Sequence, residues 1–238
     1  MKQNIEKIIH YNMAVIGGFL GGFAILNHCD LFGSAQTSNL ISIALMIVGQ
    51  DRSDFLIRII AMLLYLLGIS ITVILPHKIK EINMKLFSLS LTTIAIFILW
   101  YIPENTHHII ALYPIFFAMP IQWCCFKGAE GFTSSCIFST NNFRQCTAAM
   151  TEYFITKDRE ALRKGKFFGG VLLFFHVGVM YSYIACKFFG QSGVLLCLAP
   201  IISATFFIHV ETIIKDKKTK QIKNKNLQIP ENFAHQRQ

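Results

Sequence analysis

The segment LFGSAQTSNLISIALMIVGQD, residues 31–51, opens with polar side chains and continues as a short apolar run that ends at Gly49, Gln50 and Asp51. An α-helix needs about 20 apolar residues to cross a bilayer, and this run is shorter. A helix that begins inside a protein leaves its first N–H groups without helical partners, and Thr or Asn at the N-cap satisfies one of them. The segment therefore predicts a short helix that begins at membrane depth, in a cavity.

The composition of the chain is that of a membrane protein. Hydrophobic residues make up 53% of the 238 residues and charged residues only 15%, whereas soluble domains carry about 25% charged residues. The charges are also segregated, because residues 55–75 contain one charge and the tail from Lys215 onward contains seven Lys or Arg. This pattern predicts a polytopic, all-α transmembrane helix bundle with polar ends.

Apolar segments near membrane length divide the chain into about six spans. Residues 36–49 and 134–155 are two further segments, one short and one rich in polar side chains, and we interpret them as broken or re-entrant helices. Together these segments predict one transmembrane domain, residues 1–211, followed by a basic tail, residues 212–238. The six predicted spans are residues 8–28, 55–75, 86–102, 109–126, 167–187 and 192–211.

The two broken segments carry similar polar triplets. Thr37-Ser38-Asn39 and Thr140-Asn141-Asn142 lie 103 residues apart, and each triplet precedes a helix-like stretch, a charged link and a long span. The chain thus divides into two weakly similar halves, residues 8–102 and 109–211. The halves are inverted if the short segments do not cross the membrane, and parallel if both segments cross it as full spans. Interrupted segments at corresponding positions of two halves are typical of transporter binding sites.

These motifs resemble the YoaK-type family of bacterial integral-membrane proteins. In the first half, the family pattern is G-G-F-x-D-A-Y followed by V-F-A-N-A-Q-T-G-N, and the similar stretches here are GGFLGGFAIL and LFGSAQTSNLISIAL. In the second half, the family motifs are G-L-Q-N and T-x-C-T-G-N-L-R, and their places are taken by PIQWCCFKG and FSTNNFRQ. The resemblance covers nearly the whole chain and implies no particular biochemical activity. The chain departs from the pattern inside the motifs: Gly21 replaces Asp, Ser38 and Asn141 replace Gly, and Trp123 replaces Asn.

The distribution of Lys and Arg predicts the orientation. If the two short segments do not span, the N-terminus, the 76–85 loop, the 127–166 region and the tail share one side, which then holds 19 of the 22 basic residues. If both segments span, the N-terminal side holds 16. Either arrangement places both termini in the cytoplasm by the positive-inside rule, so the chain is expected in the bacterial cytoplasmic membrane.

The polar triplets and their neighbours are the candidate binding residues. They would line a polar site near the middle of the membrane, or they would cap two half-helices and join spans by interhelical hydrogen bonds. Both roles are compatible with the sequence. The candidates in these segments are Gln36, Thr37, Asn39, Thr140, Asn141 and Asn142.

Three further polar residues lie in apolar surroundings. Arg144 would attract an anionic solute near a helix N-terminus, or it would extend to the membrane surface. Gln122, beside Pro120, would bond carbonyl groups exposed at a kink or face the same cavity. His176 lies midway along a span, where it would couple transport to protons or bond a neighbouring helix.

The repeated glycines of GGFLGGF have helical spacing. Gly17, Gly18, Gly21 and Gly22 form a smooth helix face that favours close packing, and contact between two copies of the chain is a second use of the same face. The seven cysteines lack C-x-x-C pairing, and they are interpreted as small apolar residues or reduced thiols rather than a metal site.

The sequence favours a multi-pass membrane protein that binds or transports a small solute, with an anion as one candidate, at the polar site between its broken helices. The alternative is a non-transporting scaffold or sensor that acts through its basic cytoplasmic face. The basic tail is expected to meet anionic lipid rather than nucleic acid. No enzyme motif, cofactor motif or metal-binding motif is recognised, so the chain is expected not to be an enzyme.

Overall fold

The protein is helical, as its composition predicts. A computed structural model describes residues 2–28 and 31–227, with the backbone alone for residues 2, 3, 216 and 218–227. Cys29 and the end of the basic tail lie outside the described residues. The α-helices are α1 (Lys2–Asn27), α2 (Thr37–Ile47), α3 (Phe55–Lys78), α4 (Met84–Tyr101), α5 (His108–Ala111), α6 (Tyr113–Cys125), α7 (Thr140–Thr156), α8 (Arg159–Phe189) and α9 (Leu198–Leu227).

Among the described residues, four helical stretches are long and apolar enough to cross a membrane. Three correspond to the first three predicted spans, and the fourth, Arg159–Lys215, contains both predicted C-terminal spans. The outward faces of α3, α4 and α8 carry many exposed large apolar side chains. Such surfaces fit a hydrocarbon solvent rather than water.

The predicted spans at 109–126 and 192–211 differ from the structure in detail. The first is divided at Leu112 into the one-turn helix α5 and the 13-residue helix α6. The second begins as a 3₁₀ helix, Gly190–Cys197, before α9 starts. Gly190 has a φ of 56°, which ends α8 at that point. Helix α9 also continues beyond residue 211, where the sequence places the start of the tail.

The two ambiguous segments form short helices. α2 has 11 residues, and α7 has 17. The structure begins α7 later than the predicted segment 134–155, because residues 134–139 form a loop that packs on α1. A small hairpin that the sequence does not predict precedes this loop, with strand β1 (Gly128–Ala129) paired to β2 (Phe132–Thr133).

Helix α1 lies at the centre of the bundle and packs against α8 and α9, while α6 packs against α3 and α4. Tyr11 contacts Phe167 and Gly22 lies against Ser182, so α1 and α8 run in the same direction. The core between these helices is apolar and rich in phenylalanine. Its largest fully buried side chains are Phe19, Phe23, Phe167, Phe168, Ile9, Met13, Ile16, Leu20, Ile96, Leu99, Leu112 and Ile115.

The glycines of α1 pack within the chain. A Cβ atom at Gly17 would overlap the backbone of Cys136, and one at Gly18 would overlap the carbonyl oxygen of Phe175. Gly21 and Gly22 lie against side chains, those of Phe32 and Ser182, which a Cβ atom would also overlap. The packing role predicted for the four glycines is therefore confirmed, whereas association of two copies stays a prediction.

The bundle has two distinct ends. The N-terminal end of α1 meets the hairpin through Lys7 and Glu130, whose charged atoms are 2.7 Å apart. The start of α4 meets α9 at the same end through Lys85 and Glu211, at 2.8 Å. We call this the basic end. At the opposite end, Gln191 donates hydrogen bonds to the final carbonyl groups of α4.

Candidate functional site

The two short helices begin at one cavity. Its volume is about 720 Å³, and it lies beside Tyr65 in the middle of α3. The N-terminal residues Thr37 of α2 and Thr140 of α7 both line it, although they are far apart in sequence. The lining consists of Phe32, Ala35, Gln36, Thr37, Leu40, Tyr65, Trp123, Phe138, Thr140, Asn141 and Arg144. We call this space the central cavity.

Neither short helix is capped by a side chain. The N-cap residues are Gln36 and Ser139, and neither accepts a hydrogen bond from the first turn. The predicted capping role of the Thr and Asn side chains is therefore wrong. By contrast, Asn83 and Asp158 each accept two backbone N–H bonds at the starts of α4 and α8. The first turns of α2 and α7 are thus left available at the cavity, while α3 and α6 also begin without a side-chain cap.

Uncapped helix starts favour anions. The first N–H groups of a helix point along its axis and carry the positive end of the helix dipole. Two such starts at one cavity give a site that suits carboxylate, sulfonate or phosphate groups.

Arg144 adds a full positive charge to this cavity. It lies one turn into α7, and its Nη2 donates to Oδ1 of Asn141 at 3.1 Å. Within the described part of the chain it forms no ion pair. Its guanidinium group is exposed to the cavity, where it can bind an anion with two parallel N–H bonds.

Gln36 is held in place beside the cavity by Asn39. The Nδ2 of Asn39 donates to Oε1 of Gln36 at 2.9 Å and to the carbonyl oxygen of Arg58 at 3.0 Å. Gln36 is 9% exposed, and its Nε2 has no hydrogen-bond partner among the described residues. Gln36 lines the central cavity, and a buried donor without an acceptor is costly. Asn39 itself lies behind Gln36 and supports it.

The remaining wall of the cavity is aromatic. Phe32, Tyr65, Trp123 and Phe138 line it, and the rings of Trp123 and Phe138 meet edge to face at 5.0 Å between centroids. The sequence does not single out Tyr65 as a site residue, because one more aromatic side chain in an apolar segment carries no distinguishing signal. Phe32, Trp123 and Phe138 could have been selected, since each stands inside or beside a motif.

Asn142 has a structural role. Its Nδ2 donates to the carbonyl oxygens of Ser135 at 2.6 Å and Phe138 at 3.3 Å, and its Oδ1 accepts from Ser134 at 3.0 Å. The side chain is 1% exposed and does not line the cavity. It therefore ties the loop before α7 to the helix.

We expect Asn142→Ala to lower the free energy of unfolding by about 2–4 kcal/mol, because it removes two buried hydrogen bonds and a third, partly buried one, and leaves their partners unsatisfied. The neighbouring Asn141→Ala is the control, since Asn141 is exposed and faces the cavity. Thermal unfolding of both variants in detergent measures the difference. Equal stability of the two variants would contradict the structural role of Asn142.

Gln122 and His176 lie outside the central cavity. Gln122 is fully buried, and its Nε2 donates to the carbonyl oxygen of Met13 at 3.0 Å, so it joins α6 to α1. His176 is exposed on the outer face of α8, where Nδ1 lies 2.7 Å from the carbonyl oxygen of Leu172. The structure does not bring these two side chains to the central cavity, and their predicted roles in binding stay predictions.

Five of the nine predicted residues line the cavity, and four do not. The five are Gln36, Thr37, Thr140, Asn141 and Arg144. Within residues 2–28 and 31–227, no group of three or more His, Cys, Asp or Glu side chains is arranged to hold a metal ion. The binding chemistry of the cavity is thus that of backbone N–H groups, amide groups, hydroxyl groups and one guanidinium group.

The helices and the cavity together define a helical membrane protein in which two short, uncapped helices open on one polar and aromatic space. The chain belongs to the DUF1275 family of proteins of unknown function, whose family model matches residues 9–208. This match agrees with the resemblance to the YoaK-type family. No curated protein and no solved structure matches the chain.

Proposed function

We propose that the protein binds a small organic anion in the central cavity and carries it across the bacterial cytoplasmic membrane. One observation carries this proposal: two uncapped helix starts share a single cavity with Arg144, a cation that forms no ion pair with any described residue. An unpaired charge at membrane depth is costly unless water or a ligand compensates it. Three positive features at one point favour a ligand with negative charge.

The aromatic wall favours an organic anion over a bare inorganic one. A cavity of about 720 Å³ is of the size that holds small organic ligands. The rings of Tyr65, Trp123 and Phe138 offer apolar contact to the body of such a ligand. We use benzenesulfonate as the probe, because its charge is permanent and its ring suits this wall.

We further propose that the chain consists of two inverted halves, residues 8–102 and 109–211. The helix contacts support this correspondence: α1 packs against α8 and α9, and α6 packs against α3 and α4. In this correspondence α1, α2, α3 and α4 match α6, α7, α8 and α9, and α5 has no match. The contacts of α1 with α8 and α9 then match the contacts of α6 with α3 and α4. α1 starts at the basic end, whereas α6 finishes there, next to Lys127. An inverted repeat with its site at the repeat interface is an architecture that transporters use.

The basic end is proposed to face the cytoplasm, so that both termini are cytoplasmic. In intact cells, an impermeant maleimide should label Glu104→Cys, in the loop before α5, but not Lys217→Cys. Both positions are exposed. Each signal is the amount of label on the variant minus the amount on the parent chain with its native cysteines. Labelling of Lys217→Cys in permeabilised cells is the control. Labelling of Lys217→Cys alone in intact cells would reverse the orientation.

Transport is tested directly in proteoliposomes. The purified chain should take up labelled benzenesulfonate and exchange it against unlabelled benzenesulfonate inside the vesicle. Neutral benzenesulfonamide at tenfold excess should not compete. Binding without exchange would reject transport and retain the binding site, whereas absence of both would reject the whole proposal.

A second candidate function is a non-transporting scaffold or sensor that acts through the basic end. The concentration of Lys7, Lys85, Lys127 and Lys215 around one face favours this candidate. It predicts that function survives substitution of Arg144 and fails when the basic face is neutralised. We propose no catalytic role and no nucleic-acid partner, and we expect membrane lipids to surround the helices.

A further inference from the structure

A second polar cavity lies at the basic end of the bundle. Its volume is about 300 Å³, and it is enclosed by the starts of α1 and α4, the end of α6, the hairpin and α9. We call it the basic-end cavity. Its walls are formed by Glu6, Ile9, His10, Lys85, Cys125, Phe126, Lys127, Gly128, Ala129, Glu130, Gly131, Glu211 and Lys215.

His10 gives this cavity a buried polar group that needs a partner. The side chain is 1% exposed, and neither Nδ1 nor Nε2 has a hydrogen-bond partner among the described residues. One face of the ring stacks against Phe167, with 5.8 Å between centroids. A buried imidazole in this state loses its hydrogen bonds to water and gains none from the protein. A ligand in the cavity can supply the missing bonds.

The cavity and its edge hold four lysines against three glutamates: Lys85, Lys127 and Lys215 with Glu6, Glu130 and Glu211 in the lining, and Lys7 paired with Glu130. Glu211 is 4% exposed, and its two carboxylate oxygens pair with Lys85 at 2.8 Å and Lys215 at 2.6 Å. One carboxylate thus serves two ammonium groups. Glu130 pairs with Lys7 at 2.7 Å and is likewise engaged.

Lys127 is the cation that remains for a ligand. It is exposed at the start of the hairpin, lines the cavity, and has no ion-pair partner within the described part of the chain. The hairpin holds it close, because Glu130 and Gly131 adopt positive φ angles of 57° and 86° and form a tight two-residue turn. Arg163 fixes the turn from outside by lying 4.9 Å from the ring centroid of Phe132.

We propose that the basic-end cavity binds a phosphate-class anion, with Lys127 as the principal cation and His10 as a hydrogen-bond donor. A cavity of about 300 Å³ accommodates a phosphate group with its water. Ammonium groups bind phosphate as point charges, and basic pockets between membrane helices also take anionic lipid head groups. The phosphate is either free or the head group of a lipid. This site is separate from the central cavity and does not depend on its function.

The test uses the full chain in two preparations. The first is detergent-solubilised protein freed of lipid, titrated with inorganic phosphate and followed by calorimetry. The second is protein titrated with phosphatidic acid or phosphatidylcholine and followed by native mass spectrometry. The variants are Lys127→Gln and, as the matched control, Lys80→Gln, which removes an exposed lysine from the α3–α4 loop outside the cavity. His10→Asn is a further variant, which tests the hydrogen bond proposed for the buried His10 side chain.

Lys127→Gln should weaken phosphate or phosphatidic acid binding by about tenfold or more, because it removes a charge-assisted hydrogen bond. Lys80→Gln should change it by less than about twofold, which is the range of exposed single charges. Tight binding of phosphate identifies a free ligand, and binding of phosphatidic acid alone identifies a lipid. Failure of both to bind, or equal effects of Lys127→Gln and Lys80→Gln, would overturn the proposal.

Discussion

Arg144→Gln should weaken binding of benzenesulfonate about tenfold to a hundredfold while leaving the fold intact. The substitution removes the cation of the central cavity, and hydrogen bonds to charged groups contribute about 1.5–3 kcal/mol. The side chain is exposed and bonds only to Asn141 among the described residues, so its loss removes no buried packing. Trp123 lines the cavity, so its fluorescence reports binding. The measurement uses a Trp100→Phe background, because Trp100 is the other tryptophan of the chain.

The control for this measurement is Arg159→Gln, which makes the same change of charge at an exposed position at the start of α8. Arg144→Lys separates charge from geometry, because lysine keeps the charge but lacks the planar donor pair of arginine. It should bind benzenesulfonate more weakly than the parent protein and more tightly than Arg144→Gln. If Arg144→Gln and Arg144→Lys both bind like the parent, Arg144 extends to the membrane surface and takes no part in the site.

The second large effect concerns the contact between α1 and α8. Gly178→Ala should strongly reduce the yield of folded protein and its melting temperature, because the added Cβ atom would overlap the carbonyl oxygen of Val15. Overpacking in a close-packed interior costs about 1–3 kcal/mol and sometimes more. Here the neighbour is backbone of the central helix and cannot rotate away.

Gly169→Ala, on the same helix, provides the matched control for Gly178→Ala. The nearest atom to a Cβ at Gly169 is the Sγ of Cys146 at 3.5 Å, an ordinary contact distance. Size-exclusion chromatography of the heated detergent extract measures both variants. Equal melting temperatures for Gly178→Ala and Gly169→Ala would show that the α1–α8 contact is looser than described.

The sequence predicts the helical class and the two short helices, because these depend on local hydropathy and on helix length. It also predicts that Thr37 and Thr140 lie near helix starts, since polar residues at those points interrupt apolar runs. It does not predict which polar side chains face the cavity. Asn141 and Asn142 are neighbours in sequence, but successive helical residues point about 100° apart, and only Asn141 lines the cavity.

Contacts between distant segments explain the other differences. Gln122 bonds the backbone of α1, more than a hundred residues away in sequence. Arg58 is another example: its backbone accepts from Asn39, and its buried Nε has no hydrogen-bond partner among the described residues. No local pattern in residues 55–75 distinguishes this arginine from one that reaches the membrane surface. The hairpin likewise depends on positive φ angles at Glu130 and Gly131 within a very short segment.

The starts of α2 and α7 are expected to bind one ligand together. The test is the rate at which a thiosulfonate reagent modifies Thr37→Cys and Thr140→Cys, with and without benzenesulfonate. Peptide mass spectrometry separates these sites from the native cysteines, and Ser53→Cys, exposed in the loop before α3, is the control. We expect benzenesulfonate to slow modification at both helix starts and to leave Ser53→Cys unchanged. Protection at neither helix start, or at only one of them, would contradict it.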